Sequence, residues 1–317
     1  SWAILHSSLP CQLQVFVITR FFQPPRMAAT TPPAQTSGKL NDEDVSEPPQ
    51  KRSKLPQAQV DYDTLDYKSM VAQPSAALGS APKLVPLSQR THESDFDATT
   101  VKNLLVGKYK RTWKGQVLMK DAVSLEIYAI LMDKLQPGTI FDLGTCGGGS
   151  ALWFAGQAKA LDLKGTSVVT CDIEDMRSPQ CKEHMEKAGN IHFLLADLND
   201  GKGMFAKANE QGIQLRKPWL IAEDCHVDAE IILTCFGPQL SSGDYIIFED
   251  THPLHADDAW INGETTEYVY GKFSGEKLKL VEAAMSKRED HFAIDASIQD
   301  MHGYNGATFI NSVFIRR

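Results

Sequence analysis

The sequence predicts an α/β fold: a doubly wound, mostly parallel sheet with an antiparallel edge hairpin, preceded by a disordered leader. Three observations predict it. Five short apolar runs, Ile140–Leu143, Ser167–Cys171, Ile191–Leu195, Trp219–Ala222 and Tyr245–Phe248, alternate with helical or turn-rich segments, the pattern of repeated βα units. The first run opens into a loop with glycine at 144, 147, 148 and 149, followed at once by an apolar, helix-like segment. Eleven of the sixteen prolines lie at or before Pro86, so composition changes sharply before the globular part begins.

Residues 1–98 are expected to form a disordered leader and residues 99–317 a single domain. Leu13–Thr19 is apolar but lacks a basic leading region and a small-residue cleavage site, which argues against a signal peptide. Position 1 is serine and the first methionine is Met27, so residues 1–26 are expected to be upstream translation. Lys51-Arg52-Ser53-Lys54 resembles a nuclear import signal, although a solvated linker explains three charges as well. A cytoplasmic location is expected.

Within the domain, Ala122–Leu135 places Val123, Ile127, Ile130 or Leu131, and Leu135 on one helical face, and Pro137-Gly138 stops it. Ile140–Leu143 is strand one and Ser150–Leu161 its helix. Ser167–Cys171 runs into Asp172. Ser178–Ala188 is a helix with Pro179 in its first turn. Ile191–Leu195 leads toward Asp197. Trp219–Ala222 runs into Glu223-Asp224-Cys225-His226, Asp228–Leu240 is helical, and Tyr245–Phe248 ends in Glu249-Asp250-Thr251-His252. Pro253–Gly275 is polar, and the loop Thr251–Gly275 is expected to be a substrate lid. Glu276–Lys287 is a helix, and His291–Ala296 and Thr308–Arg316 are strands joined through Gly303–Gly306.

The net charge of −8 argues against a nucleic-acid-binding face. Six cysteines without a C-x-x-C pair suit a reducing compartment. No apolar run reaches the roughly 18 residues of a membrane span.

The glycine loop is neither a G-x-G-x-x-G dinucleotide fingerprint nor a Walker loop, since no Gly-Lys-Ser/Thr follows. It suits a nucleotide-like cofactor at the first βα turn of an open sheet. Acids or histidines stand at nearly every strand end: Asp142, Asp172, Asp197, Glu223, Asp224, His226, Glu249, Asp250 and His252. Carboxylates converging on one rim repel one another unless cations or hydrogen-bond donors hold them. Asp172 is placed to accept both hydroxyls of a cofactor ribose. Glu223, Asp224, Glu249 and Asp250 offer hard oxygen ligands for Mg²⁺, Mn²⁺ or Ca²⁺. His226 lies one helical turn beyond Glu223, and the unperturbed histidine side chain titrates in a range suited to proton transfer near neutrality.

With these residues assembled, the domain resembles the cephalosporin hydroxylase and rhamnosyl O-methyltransferase family. The resemblance runs from Trp113-Lys114-Gly115 to the C-terminal arginines. It rests on the acid-Leu-Gly-x-x-x-Gly-Gly-Ser run at Asp142–Ser150, the acid-x-x-His run at Glu223–His226, and Gly-Asp-Tyr-Ile-Ile-Phe-Glu-Asp at Gly243–Asp250. It implies a Rossmann-like class I methyltransferase fold, with S-adenosylmethionine seated by Asp142, Gly144, Gly147, Gly148, Gly149, Ser150, Asp172 and Asp197. It also implies metal ligands at Glu223, Glu249 and Asp250 and a base at His226. Glu223 stands where the family usually has aspartate, so Glu223 and Asp224 both stay open as the first ligand, with Mg²⁺ the expected ion.

The expected activity is metal-dependent methyl transfer from S-adenosylmethionine to a hydroxyl of a small molecule, such as a sugar diol or catechol. A small-molecule acceptor is the expected partner, with no nucleic acid or membrane, and homo-oligomerisation is left open. A hydroxylase on the same fold and a non-enzymatic cofactor-binding protein are the alternatives.

Overall fold

The computed structural model describes residues 81–200, 203–225, 227–253 and 276–317. They begin with strand β1 (Leu84–Val85) and helix α1 (Ala98–Lys108), whose first turn is capped by Asp97 accepting from the Thr100 N–H at 2.7 Å. A small hairpin, β2 (Thr112–Trp113) and β3 (Gln116–Val117), turns through Lys114 and Gly115. Helix α2 (Ala122–Leu135) starts at Asp121, whose carboxylate accepts from the Val123 and Ser124 N–H groups. Such a cap satisfies amides that the helix itself leaves unpaired.

The βα units follow: β4 (Thr139–Leu143), α3 (Gly149–Ala160), β5 (Ser167–Asp172), α4 (Pro179–Ala188), β6 (Ile191–Leu195), α5 (Gly203–Glu210), β7 (Trp219–Glu223), α6 (Ala229–Phe236) and β8 (Tyr245–Phe248). Ser178 caps α4 with Pro179 behind it, and Gly189 ends it in a left-handed turn. The chain closes with α7 (Glu276–Ser286), β9 (Phe292–Asp295), α8 (Ala296–Gln299) and β10 (Val313–Arg316).

The main sheet has the order β1-β9-β10-β8-β7-β4-β5-β6. β4 pairs in parallel with β5 on one side and β7 on the other. The order in which strands are added therefore reverses between β4 and β7, the switch point where open α/β sheets place their ligands. Alternate strand residues feed two cores. Phe141 enters one, packed edge-on against Trp219 and Phe236 with centroids 4.9 and 5.2 Å away, while Ile140 enters the other, which holds Tyr128 and Phe154.

The doubly wound sheet has the predicted form, and the differences lie at its ends. The antiparallel β9–β10 pair is not the edge, because β1 pairs outside β9 and β10 also pairs with β8. The strand predicted from Thr308 begins only at Val313. Ahead of it the Gln299 side chain accepts from the Ser312 and Val313 N–H groups and donates to the Phe309 carbonyl, folding the backbone into turns. Asp295 caps the unpredicted helix α8. The helix predicted over Asp228–Leu240 ends at Phe236 and continues as a 3₁₀ turn, Gly237–Gln239, since Pro238 offers no N–H to an α-helix.

The stretch ahead of the boundary expected at residue 99 makes contacts with the domain. Arg90 donates to Asp300, Asn305 and Asn311, and the Lys83 carbonyl accepts from the Ala296 N–H. Residues 83–97 are thus bound into the domain. Of the expected lid, residues 254–275 lie outside the described residues, as do the Met27 start and the Lys51–Lys54 cluster. Among the described residues no helix is long and apolar enough to cross a membrane.

Candidate active site

The site forms where β4, β5, β7 and β8 end. The turn after β4 is fixed to its neighbours through backbone: the Gly144 and Thr145 N–H groups donate to the Cys171 carbonyl, and the Asp224 N–H donates to the Leu143 carbonyl at 2.9 Å. Gly144 has a φ of 103°, and a Cβ there would stand 2.4 Å from the Asp224 carbonyl oxygen. At Gly149 a Cβ would meet the Val117 carbonyl oxygen at 2.0 Å. The glycines were expected to admit a ligand. At these two positions they admit the protein's own backbone instead, which brings the acid rim on β7 and the β3 edge against the loop.

Cys146 holds a left-handed φ of 46°, unfavourable for a residue with a Cβ. Its N–H donates to Asp172 Oδ2 at 2.8 Å, while Asp172 Oδ1 accepts from the Ile173 N–H at 2.8 Å. Asp172 thus clamps the loop. Because a carboxylate offers about four lone-pair positions, this clamp leaves acceptor capacity for a ribose hydroxyl. Gly147 is in contact with Val117 only at 3.7 Å or more. Gly148 is the N-cap of α3 and supplies no capping side chain, so the amides of the first turn lack a partner from it.

Asp142 is buried. Its Oδ2 accepts from Ser150 Oγ and Thr170 Oγ1, both at 2.9 Å, and its Oδ1 has no hydrogen-bond partner. Burial raises its pKa to about 6, against the lowering influence of Lys120 and the two hydroxyls. An orphaned carboxylate oxygen below a glycine loop fits a cationic donor such as the amino group of a methionine. Asp197, by contrast, is exposed, and its Oδ1 accepts from the Asn199 backbone and side chain in a local turn.

The four expected metal ligands do come together at the ends of β7 and β8, but each faces a lysine. Lys120 Nζ lies 2.5 Å from Glu249 Oε1 and 3.3 Å from Asp224 Oδ2. Lys108 Nζ lies 2.6 Å from Asp250 Oδ1, and Lys277 Nζ lies 2.9 Å from Glu223 Oε2. Tyr128 Oη also donates to Glu249 Oε1, at 2.7 Å. The three lysines are buried, with 2 to 8% of their surface exposed. Burial works against their charge, yet the carboxylates opposite them raise all three pKa values above the ordinary lysine value. They are ammonium groups in the folded chain.

As placed, these carboxylates do not fit a divalent cation. Mg²⁺ draws oxygens to about 2.1 Å and tolerates little distortion, whereas here Lys120 stands between Asp224 and Glu249 while Lys108 and Lys277 pair with Asp250 and Glu223. Among the described residues no three acids, histidines or cysteines are grouped to hold a metal. His226, the expected base, lies outside the described residues, and His252 is buried just beyond β8.

Sequence reasoning missed Lys108, Lys120, Lys277 and Tyr128. Lysine is ordinarily a surface residue, and the only local signal is the position of Lys120 directly before the cap of α2. A separate cleft of about 720 Å³, lined by Lys114, Lys159, His184, His192 and Arg216 among others, opens at the opposite ends of β5 and β6. None of the expected site residues lines it.

A family model described as rhamnosyl O-methyltransferase/CmcI matches residues 107–317. Similar solved structures include CmcI in a Mg-SAM form (21% identity, TM-score 0.48, covering 81% of this chain and 99% of that one) and CmcI in an apo form (20%, 0.49, 81% and 98%). The SAH-bound methyltransferase PaMTH1 of Podospora anserina is also similar (14%, 0.37, 70% and 88%). Comparison with curated proteins finds no match.

Proposed function

The chain belongs to the rhamnosyl O-methyltransferase/CmcI family of S-adenosylmethionine-dependent O-methyltransferases, and from that premise we propose that its acceptor is a hydroxyl group of a small molecule. The rhamnosyl acceptor in the family's description supports a sugar hydroxyl. The observation that carries the proposal is the buried contact between loop and acid rim. Gly144 closes directly on Asp224, so the donor's seat and the polar rim share one wall.

S-adenosylmethionine, when bound, supplies a methyl group on a positively charged sulfur, with S-adenosylhomocysteine as the leaving group. Asp142 would receive its amino group through the free Oδ1, held in place by Ser150 and Thr170. Gly147, Gly148, Gly149 and Ser150 would present loop and helix amides to its carboxylate. Asp172 would keep the loop in shape and offer its remaining lone pairs to the ribose. Asp197 is the proposed outer contact, toward the base.

The acceptor's hydroxyl proton needs a base, and His226 is proposed for it; general-base catalysis contributes roughly 10²–10⁴ in rate. Holding acceptor and donor in line contributes more. The divalent cation expected from the sequence has no step here, because a lysine faces each of its four expected ligands.

The test is mass spectrometry of a cell extract incubated with the protein and a labelled methyl donor. A product heavier by one labelled methyl on oxygen is expected, and His226→Ala should abolish it while calorimetry shows S-adenosylmethionine still binding. Failure of the intact protein to bind S-adenosylmethionine would sink the proposal.

A further inference from the structure

We propose that lysine side chains have taken the place of a divalent cation in this site, with Lys120 as the central charge, so that the site works without metal. The inference rests on the methyl-transfer function proposed above but concerns how the acid rim is neutralised, which can be measured separately. Four carboxylates meet at the ends of β7 and β8, and left alone they would repel one another. A metal is one remedy. This chain supplies three ammonium groups from three different segments: Lys108 at the end of α1, Lys120 ahead of α2, and Lys277 in the first turn of α7.

Lys120 is the best placed of the three. Its Nζ spans Asp224 on the β7 side and Glu249 on the β8 side, the bridging that a shared cation would perform. Its backbone is held by the adjacent cap. Asp121 binds the Val123 and Ser124 amides on one side and the Thr308 hydroxyl, at 2.6 Å, on the other. Tyr128 lies under the ammonium, its ring centroid 5.6 Å away, and its hydroxyl donates to the same Glu249 oxygen. The lysine therefore has little room to swing aside for an incoming ion. A dication bound to the same oxygens would sit within a few ångströms of a like charge in a buried place, where such repulsion is poorly screened.

An ammonium group has three N–H bonds, and Asp224 and Glu249 take two. The third would be left as a donor of positive character, suited to an acceptor oxygen as it loses its proton. In this role Lys120 supplies what a metal would otherwise contribute, without the demands of octahedral coordination.

The experiment uses the full chain, dialysed against Mg²⁺ or Mn²⁺ and then against metal-free buffer. Elemental mass spectrometry is expected to find well under one equivalent of metal. The melting temperature is expected to be the same in millimolar MnCl₂ and in EDTA. About one equivalent of retained metal, with melting raised by Mn²⁺, would overturn the proposal. Lys120→Met keeps the unbranched apolar stem and removes the terminal ammonium, which opens the Asp224–Glu249 space; its melting should become Mn²⁺-dependent, and Lys120→Arg should restore indifference to metal. A merely structural lysine would not produce that pattern. If Lys120→Met does not fold, the metal content and melting of the natural chain still decide. Calorimetry with S-adenosylmethionine reports on the methyl-transfer function separately.

Discussion

Asp172, at the end of β5, accepts a hydrogen bond at 2.8 Å from the backbone N–H of Cys146, a residue with left-handed φ 26 positions earlier. The acid expected to hold a ribose thus first holds the loop proposed to seat the cofactor. A hydrogen bond to a charged acceptor contributes about 1.5–3 kcal/mol. Asp172→Ala is expected to lower S-adenosylmethionine affinity by roughly tenfold or more, measured by calorimetry. Asp172→Asn, which still accepts, should lose less.

Gly149 is decided by space. Its substitution by alanine would drive a Cβ into the Val117 backbone at the start of α3, and overpacking of this kind costs roughly 1–3 kcal/mol even against mobile side chains. Gly149→Ala should destabilise the domain by at least that much in urea unfolding. Gly189→Ala is the control: nothing lies within 4 Å of its Cβ position, and only its φ of 74° resists, about 1–2 kcal/mol.

Asp142 should make stability depend on pH. Burial raises its pKa from 3.8 to about 6 in the folded chain, so the folded state binds the proton more tightly than the unfolded. Its contribution is complete below about pH 4 and is lost as pH rises to about 6. The stability of the natural chain relative to Asp142→Asn should fall across that window and level off above it, as read from urea midpoints. Affinity for S-adenosylmethionine should move the opposite way, since a cationic amino group needs the ionised carboxylate.

Arg90 tests the domain boundary. Its buried guanidinium forms a two-pronged pair with Asp300, at 2.7 and 2.6 Å, and reaches Asn305 and Asn311 at 2.9 Å each. Removing one partner of a buried pair costs about 3–5 kcal/mol. Arg90→Ala should lose that much, and a chain starting at residue 99 should melt below one starting at residue 81.

The alternation of Ile140–Leu143, Ile191–Leu195 and Tyr245–Phe248 with helical periods determined the sheet, because side-chain period and turn residues are local properties of the chain. The Asp142–Ser150 loop and the acids after β7 and β8 were legible for the same reason. Local signals did not reach the ends of the fold. Leu84–Val85 becomes a strand only because β9 offers it an open edge, and Thr308–Ser312 turns because Gln299 binds its backbone. The largest revision concerns charge. The sequence by itself determined that acids would gather at one rim and need neutralising; which cation does so was a tertiary matter. Lys120 and Glu249 are 129 residues apart, and apart from the α2 cap beside it nothing local marks the lysine for burial. Burying an ammonium is unfavourable until the fold sets carboxylates around it, so the pairing exists only once the strands and the α2 cap are in place.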